Sequence, residues 1–157
     1  MPPPALLDLS KLDLNRVEMT REQIYEVLPH RHEFMQLDGV IHLDADKLEI
    51  VAYRDVKPDE WWCKGHLPGR PLFPGVLMIE TAAHIASVYF SRVLKEPGFL
   101  GFGGVDSFKF REAVIPPARL YILGRAVEVR RRRMVCDVQG FVNEAMVFEG
   151  RITGLPM

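Results

Sequence analysis

The chain predicts an α+β domain in which an antiparallel sheet of about five or six strands wraps one long central helix. Three observations carry that prediction. Val76 to Leu94 contains no glycine or proline and is apolar on nearly every side, as a helix enclosed by its own protein must be. Stretches on either side of it alternate apolar and polar residues with the period of a strand. Short turn-forming pairs join those stretches, so chain neighbours pair antiparallel.

Taken in order, residues 1–18 read as an N-terminal arm, with Leu6, Leu7, Leu9, Leu12 and Leu14 available to anchor it, and 19–157 as a single domain. Thr20-Arg21-Glu22-Gln23 is a capping box that opens a short helix, which Leu28-Pro29 ends. Leu37 to Ile41 and Lys47 to Val56 form a hairpin around the turn Asp44-Ala45-Asp46. Asp59-Glu60-Trp61-Trp62 follows, its tryptophans read as core or interface. Pro97-Gly98 stops the long helix, and Phe99 to Gly104 reads as a glycine-rich link before a strand from Val105 to Arg111. Pro116-Pro117 forces a turn; Leu120 to Val129, Met134 to Val142 and Met146 to Ile152 complete the sheet, with Asn143-Glu144 as a tight connection.

At 157 residues with a formal net charge of −1, the chain is long enough for one core and gives no global argument for nucleic acid. Met1-Pro2-Pro3-Pro4 offers neither the basic nor the apolar segment of a secretory leader. Glu80 and the flanking prolines argue against a membrane span in the long helix. Cys63 and Cys136 match no zinc spacing, and the cytoplasm is the default compartment.

The chemistry concentrates around the start of the long helix. Gly65 to Gly75 holds three prolines and three glycines around His66, so it is a tightly bent loop in which Gly65 and Pro68 fix the histidine. Glu80, His84, Ser87 and Ser91 fall at steps of four, three and four, along one seam of the helix. Glu80 either faces water near the favourable end of the macrodipole or faces a cavity as a proton-transfer group. Pro74-Gly75-Val76 starts the helix and offers unpaired backbone N–H groups to the same neighbourhood. His30-Arg31-His32 lacks an acid at metal-ligand spacing and reads as a positioned turn, and no metal or redox cofactor is called for. Arg130, Arg131, Arg132 and Arg133 form either a solvated hairpin tip or a basic landing area for an acidic partner, a protein or a phosphate, with Arg111, Arg119 and Arg125 upstream.

Gly65-His66-Leu67-Pro68-Gly69-Arg70-Pro71 through Pro74-Gly75-Val76-Leu77 to Glu80 and His84 resembles the signature of the β-hydroxyacyl-acyl-carrier-protein dehydratases of fatty-acid synthesis. Leu28-Pro29-His30-Arg31 with Phe34 and Leu37-Asp38 resembles a second motif of that family, and the likeness runs from about Thr20 to Thr153. The resemblance implies the hotdog fold and dehydration of a (3R)-3-hydroxyacyl thioester, carried on the phosphopantetheine of acyl carrier protein, to the trans-2-enoyl product. It implies that His66 and Glu80 are catalytic, with Gly75 N–H meeting the thioester oxygen and Pro68, Val76 and His84 in support. It also implies a homodimer, often built into a hexamer, in which His66 of one subunit meets Glu80 of its neighbour. The His30 loop would border the site without supplying a proton-transfer group.

An imidazole with an unperturbed pKa of ~6.5 suits removal of the C2 proton near neutrality. A carboxyl group suits protonation of the C3 hydroxyl, and an acyl tunnel would run along the helix. The family glutamine four residues after the acid is His84 here, the phenylalanine after the catalytic histidine is Leu67, Gly39 replaces an arginine, and Pro117-Ala118-Arg119 replaces a Pro-Gly-Asp turn. An acyl thioesterase, or a non-catalytic acyl-binding module on the same fold, is the alternative. Glu80 in place of the aspartate of the isomerising branch leans against isomerase activity.

Overall fold

A computed structural model describes residues 1–157. One antiparallel sheet of seven strands wraps the central helix. The strands are β1 (Met19–Thr20), β2 (Gly39–Asp44), β3 (Glu49–Val56), β4 (Leu100–Phe110), β5 (Ala118–Arg130), β6 (Arg133–Val142) and β7 (Ala145–Pro156). Their spatial order is β1-β2-β3-β5-β6-β7-β4. The short helix α1 (Arg21–Val27) precedes the hairpin, and the long helix α2 (Gly75–Arg92) lies between β3 and β4 in the chain.

The seventh strand, β1, is only two residues long and too short to show as alternation. Directly after it, α1 is held by the capping box: Gln23 N–H donates to Thr20 Oγ1 (3.2 Å) and Thr20 N–H to Gln23 Oε1 (2.8 Å). Arg31 then caps the far end, donating to the carbonyls of Leu28 and Tyr25 while its guanidinium lies 4.9 Å from the centre of the Tyr25 ring.

The core sits between α2 and the concave face of the sheet. Met78, Ala82, Ile85 and Tyr89 from the helix are buried with Ile50, Ala52, Leu120 and Ile122 from the strands. At Gly124 the helix comes so near that a Cβ would stand 2.7 Å from Ile85 Cδ1. A smaller cluster covers the convex face, where Leu7 packs on Ile41, Val51, Leu123, Phe141 and Met146. Leu6 N–H donates to Gln139 Oε1 (2.8 Å), Gln139 returns a bond to Pro4 O (3.0 Å), and Arg125 donates to Leu6 O.

The boundaries of α2 and β4 differ from the sequence expectation near the site. Helix α2 begins at Gly75 and ends at Arg92, one residue earlier than Val76 and two earlier than Leu94. Strand β4 begins at Leu100, so the stretch read as a glycine-rich link is strand. Its glycines serve close packing: a Cβ on Gly103 would stand 2.6 Å from Leu155 Cγ on the paired strand β7. The two tryptophans part company, Trp62 buried against Phe73 with ring centres 5.5 Å apart and Trp61 exposed. Asn143 and Glu144 both take positive φ (47° and 67°), the twist a two-residue hairpin needs.

Candidate active site

The loop from Lys57 to Pro74 is built from turns rather than regular structure, and a buried charge pair anchors it. Arg54 projects from β3 toward the core with its side chain 6% exposed. It forms a bidentate pair with Glu60, donates to Gln36 Oε1 (3.1 Å) and lies 4.5 Å from the centre of the Phe73 ring. Glu60 also accepts from Lys57 N–H (2.8 Å). Burial pushes the Glu60 carboxyl up, but the Arg54 and Lys57 hydrogen bonds and the charge of Arg54 together hold it below the usual carboxylate range.

His66 sits in this loop, its N–H donating to Trp62 O (2.8 Å), and the following Leu67 and Gly69 take positive φ (57° and 79°). The His66 side of the loop opens on a depression of about 420 Å³ lined by Gly75, Met78, Phe73 and Phe110. A Cβ at Gly75 would stand 2.9 Å from Phe110 Cζ, so a larger residue there would push the exposed Phe110 ring off the helix start. Pro74 is the N-cap and no side chain caps the helix; the first backbone bonds run from Leu77 and Met78 to Pro74 O, leaving the Gly75 and Val76 N–H groups free at the mouth. Pro68 and Val76 are exposed beside it.

Glu80 lies on the other side of the helix start and lines a second cavity, of about 60 Å³, together with His30, His84, Ser87, Phe99 and Thr153. His84 is buried, and its Nε2 is 2.9 Å from Glu80 Oε1. Its Nδ1 accepts from Gln36 N–H at 3.4 Å, so the ring proton is assigned to Nε2 and is donated to Glu80. That hydrogen bond, against the opposing effect of burial and with help from the electrostatic effect of the His84 and His30 rings, holds the Glu80 carboxyl below its usual range. His30 Nε2 is 3.9 Å from the same oxygen, and the His30 and His84 rings lie 4.1 Å apart between centres. His30, Glu80 and His84 bring three donor atoms within 4.8 Å of one another. An ion bound at His84 Nε2 would move the ring proton to Nδ1, against the Gln36 N–H, so the arrangement suits proton handling better than metal ligation.

The structure thus brings His66 together with Gly75, and Glu80 together with His84, in two separate depressions of one chain. The sequence did not place His30 against Glu80. Arg31, anchored on the end of α1, orients that turn, and the only sequence signal was the histidine's place in a motif directly after a helix stop. The arginine tip is smaller than its sequence suggests. Arg130 and Arg133 both pair with Glu128 (2.9 and 3.8 Å), while Arg111, Arg119 and Arg125 pair with Glu149, Asp55 and Glu49. Arg131 and Arg132 remain exposed at the turn.

A sheet of this order around one helix, with acid/base groups at the helix start, defines a hotdog-fold protein. Its likeness to solved hotdog structures is consistent: it matches a chain of the dehydratase heterocomplex ApeI:P of Xenorhabdus doucetiae with TM-score 0.72 at 16% identity, covering 85% of this chain and 90% of that one. A structure from Silicibacter sp. TM1040, assigned to the thioesterases by name alone, matches with TM-score 0.63 at 18% identity, covering 89% and 93%. The FabA-like domain model matches residues 28–151, and the chain belongs to that family. Among curated relatives, the 3-hydroxyacyl-[acyl-carrier-protein] dehydratase FabZ of Symbiobacterium thermophilum is 34% identical over 131 residues, 81% of this chain and 89% of its own. The FabZ of Moorella thermoacetica is 33% identical over 133 residues, 82% and 90%.

Proposed function

We propose that this protein dehydrates (3R)-3-hydroxyacyl thioesters of acyl carrier protein to trans-2-enoyl thioesters in fatty-acid synthesis, in the cytoplasm. The observation that carries the reading is that His66 and Gly75, at the helix start, line one depression in a chain whose FabZ relatives match over most of its length. His66 takes the C2 proton while the Gly75 N–H receives the charge that develops on the thioester oxygen. The site around Glu80 supplies the proton that leaves with the C3 hydroxyl. No cofactor takes part in this scheme.

The two halves of the chemistry open on different depressions of one chain, so the reading requires a second copy. A two-fold dimer that sets His66 of one protomer beside Glu80 of the other completes the site. The outer strand β4 supports such pairing, because it has only β7 as a neighbour and exposes Phe102, Val105 and Phe110. Further assembly into a trimer of dimers belongs to the same reading.

The experiment is complementation. His66→Ala and Glu80→Gln are each expected to abolish formation of enoyl absorbance from a 3-hydroxyacyl thioester. Unfolding the two variants together and refolding them restores about a quarter of wild-type activity, since half the dimers are mixed and each carries one intact site. Release of free thiol without enoyl absorbance would replace this reading with a thioesterase. Full activity in either variant alone would remove the assigned roles.

A further inference from the structure

We propose that Phe110 is a positioning residue for this reaction: its ring, aimed by a bulge in β4, holds the start of α2 so that the Gly75 N–H meets the thioester oxygen. The inference deepens the dehydratase reading and rests on it. It begins with what the helix start lacks. Pro74 is the N-cap, its residue type offers no capping side chain, and the loop before it is built from turns. No side-chain hydrogen bond therefore fixes the two N–H groups on which the charge is to fall.

Two contacts fix the helix start instead, one from β4 and one from the segment that follows it. Phe73 N–H donates to Val114 O at 2.8 Å, which ties the residue before the N-cap to the chain beyond β4. Phe110 supplies the second contact with the tip of its ring: a Cβ built on Gly75 would stand 2.9, 3.1 and 3.2 Å from Cζ, Cε1 and Cε2. The ring also lines the depression that His66 and Gly75 share. An oxyanion donor acts by being in place before the charge forms, so the surface that the helix start rests on is part of the catalytic geometry.

The aim of the ring is set within β4. Asp106 pairs with Arg151 and Lys109 with Glu149, so between these pairs β4 spends one residue more than β7. Ser107 takes up the excess with a φ of 51°, and Phe108 and Phe110, two residues apart, then share one face of the strand. Phe108 fills the space over Gly150 that a side chain would take and packs on the core, with its ring centre 5.4 Å from that of Phe110. Phe110 itself is 50% exposed, so Phe108 is the backing that keeps its ring against the helix.

The test uses the full-length protein and reads turnover and the bound carbonyl separately. Phe110→Ala is expected to lower kcat about 30-fold, less than the roughly 100- to 1,000-fold loss that follows removal of a donor outright, with KM changed less than about threefold. Phe110→Tyr keeps the ring and is expected to stay within about threefold of wild type, while Phe108→Leu, which removes only the backing, is expected to lower kcat about fivefold. Infrared spectra of a bound trans-2-enoyl thioester, isotope-labelled at C1, read the hydrogen bond without turnover. The carbonyl stretch is expected to be lowered in the wild type and to return toward the free value in Phe110→Ala. Wild-type kcat and carbonyl stretch in Phe110→Ala would overturn the inference and leave the dehydratase reading standing. A raised KM with kcat unchanged would overturn it too, because the ring would then be a binding wall and nothing more. No enoyl product from the wild type would defeat the dehydratase reading and this inference with it.

Discussion

Arg54→Met tests how the loop that carries His66 is held. The substitution keeps most of the apolar stem over Phe73 and removes the charge, leaving Glu60 without its bidentate partner in a site where its side chain is only 18% exposed. Breaking a buried pair from one side costs about 3–5 kcal/mol, and the residual exposure of Glu60 places this case near the lower end, at about 3 kcal/mol. With an m-value of about 2 kcal/mol/M for a domain of this size, the urea midpoint falls by about 1.5 M at fixed protein concentration. Glu60→Gln alone leaves Arg54 unpaired and is expected to cost a similar amount. The double variant is expected to cost about 2 kcal/mol less than the sum of the two.

The same pair has a pH signature. The folded-state carboxyl of Glu60 is depressed, so its contribution is full above the unfolded value near 4.5 and is lost as pH falls through the folded value. In Arg54→Met the carboxyl is buried without a cation and gains from protonation. The stability gap between wild type and variant therefore narrows in acid. Additive single costs, to within about 0.5 kcal/mol, or a gap that widens below pH ~4.5, would refute the reasoning.

Two further outcomes follow from packing and charge. Gly140→Ala on β6 would drive a Cβ into the buried Phe148 ring, so urea melts are expected to show a loss of about 1–3 kcal/mol, with activity per folded molecule unchanged. Arg131→Glu with Arg132→Glu reverses the two exposed charges at the β5–β6 turn; it is expected to raise KM for carrier-linked substrate about tenfold at low salt and to leave KM for a pantetheine-linked analogue unchanged. Equal effects on both substrates would remove the tip from carrier docking.

The parts of the fold that were legible in the sequence are those set by local chemistry. The helix from Val76 onward, the Thr20 capping box and the Asn143-Glu144 turn each depend on residues within a few positions of one another. The start of β4 was not legible, because Gly101, Gly103 and Gly104 read locally as a flexible link. The role of the first two comes from the C-terminal strand and its end, where Leu155 fills the space beside Gly103 and the Met157 side chain that beside Gly101. The site divides in the same way. His66, Gly75 and Glu80 lie close in the chain and follow a motif, whereas the meeting of His30 with Glu80 depends on α1 ending where Arg31 can cap it.

Gln36 joins the His66 loop anchor to the Glu80 site. Its backbone N–H holds Nδ1 of His84, and its side chain accepts from Arg54 Nε at 3.1 Å while donating to Glu33 O at 3.0 Å. One residue therefore couples the charge pair that anchors the His66 loop to the tautomer that fixes Glu80. A histidine can stand where the family pattern has glutamine because a backbone donor answers its second nitrogen; without that donor the ring proton is less firmly held on the nitrogen that faces Glu80. Loss of Arg54 frees the Gln36 side chain, so its effect is expected to reach Glu80 through His84 as well as His66 through Glu60. That route predicts a shifted pH profile in Arg54→Met even under conditions where the variant is fully folded, which loosening of the loop alone would not produce.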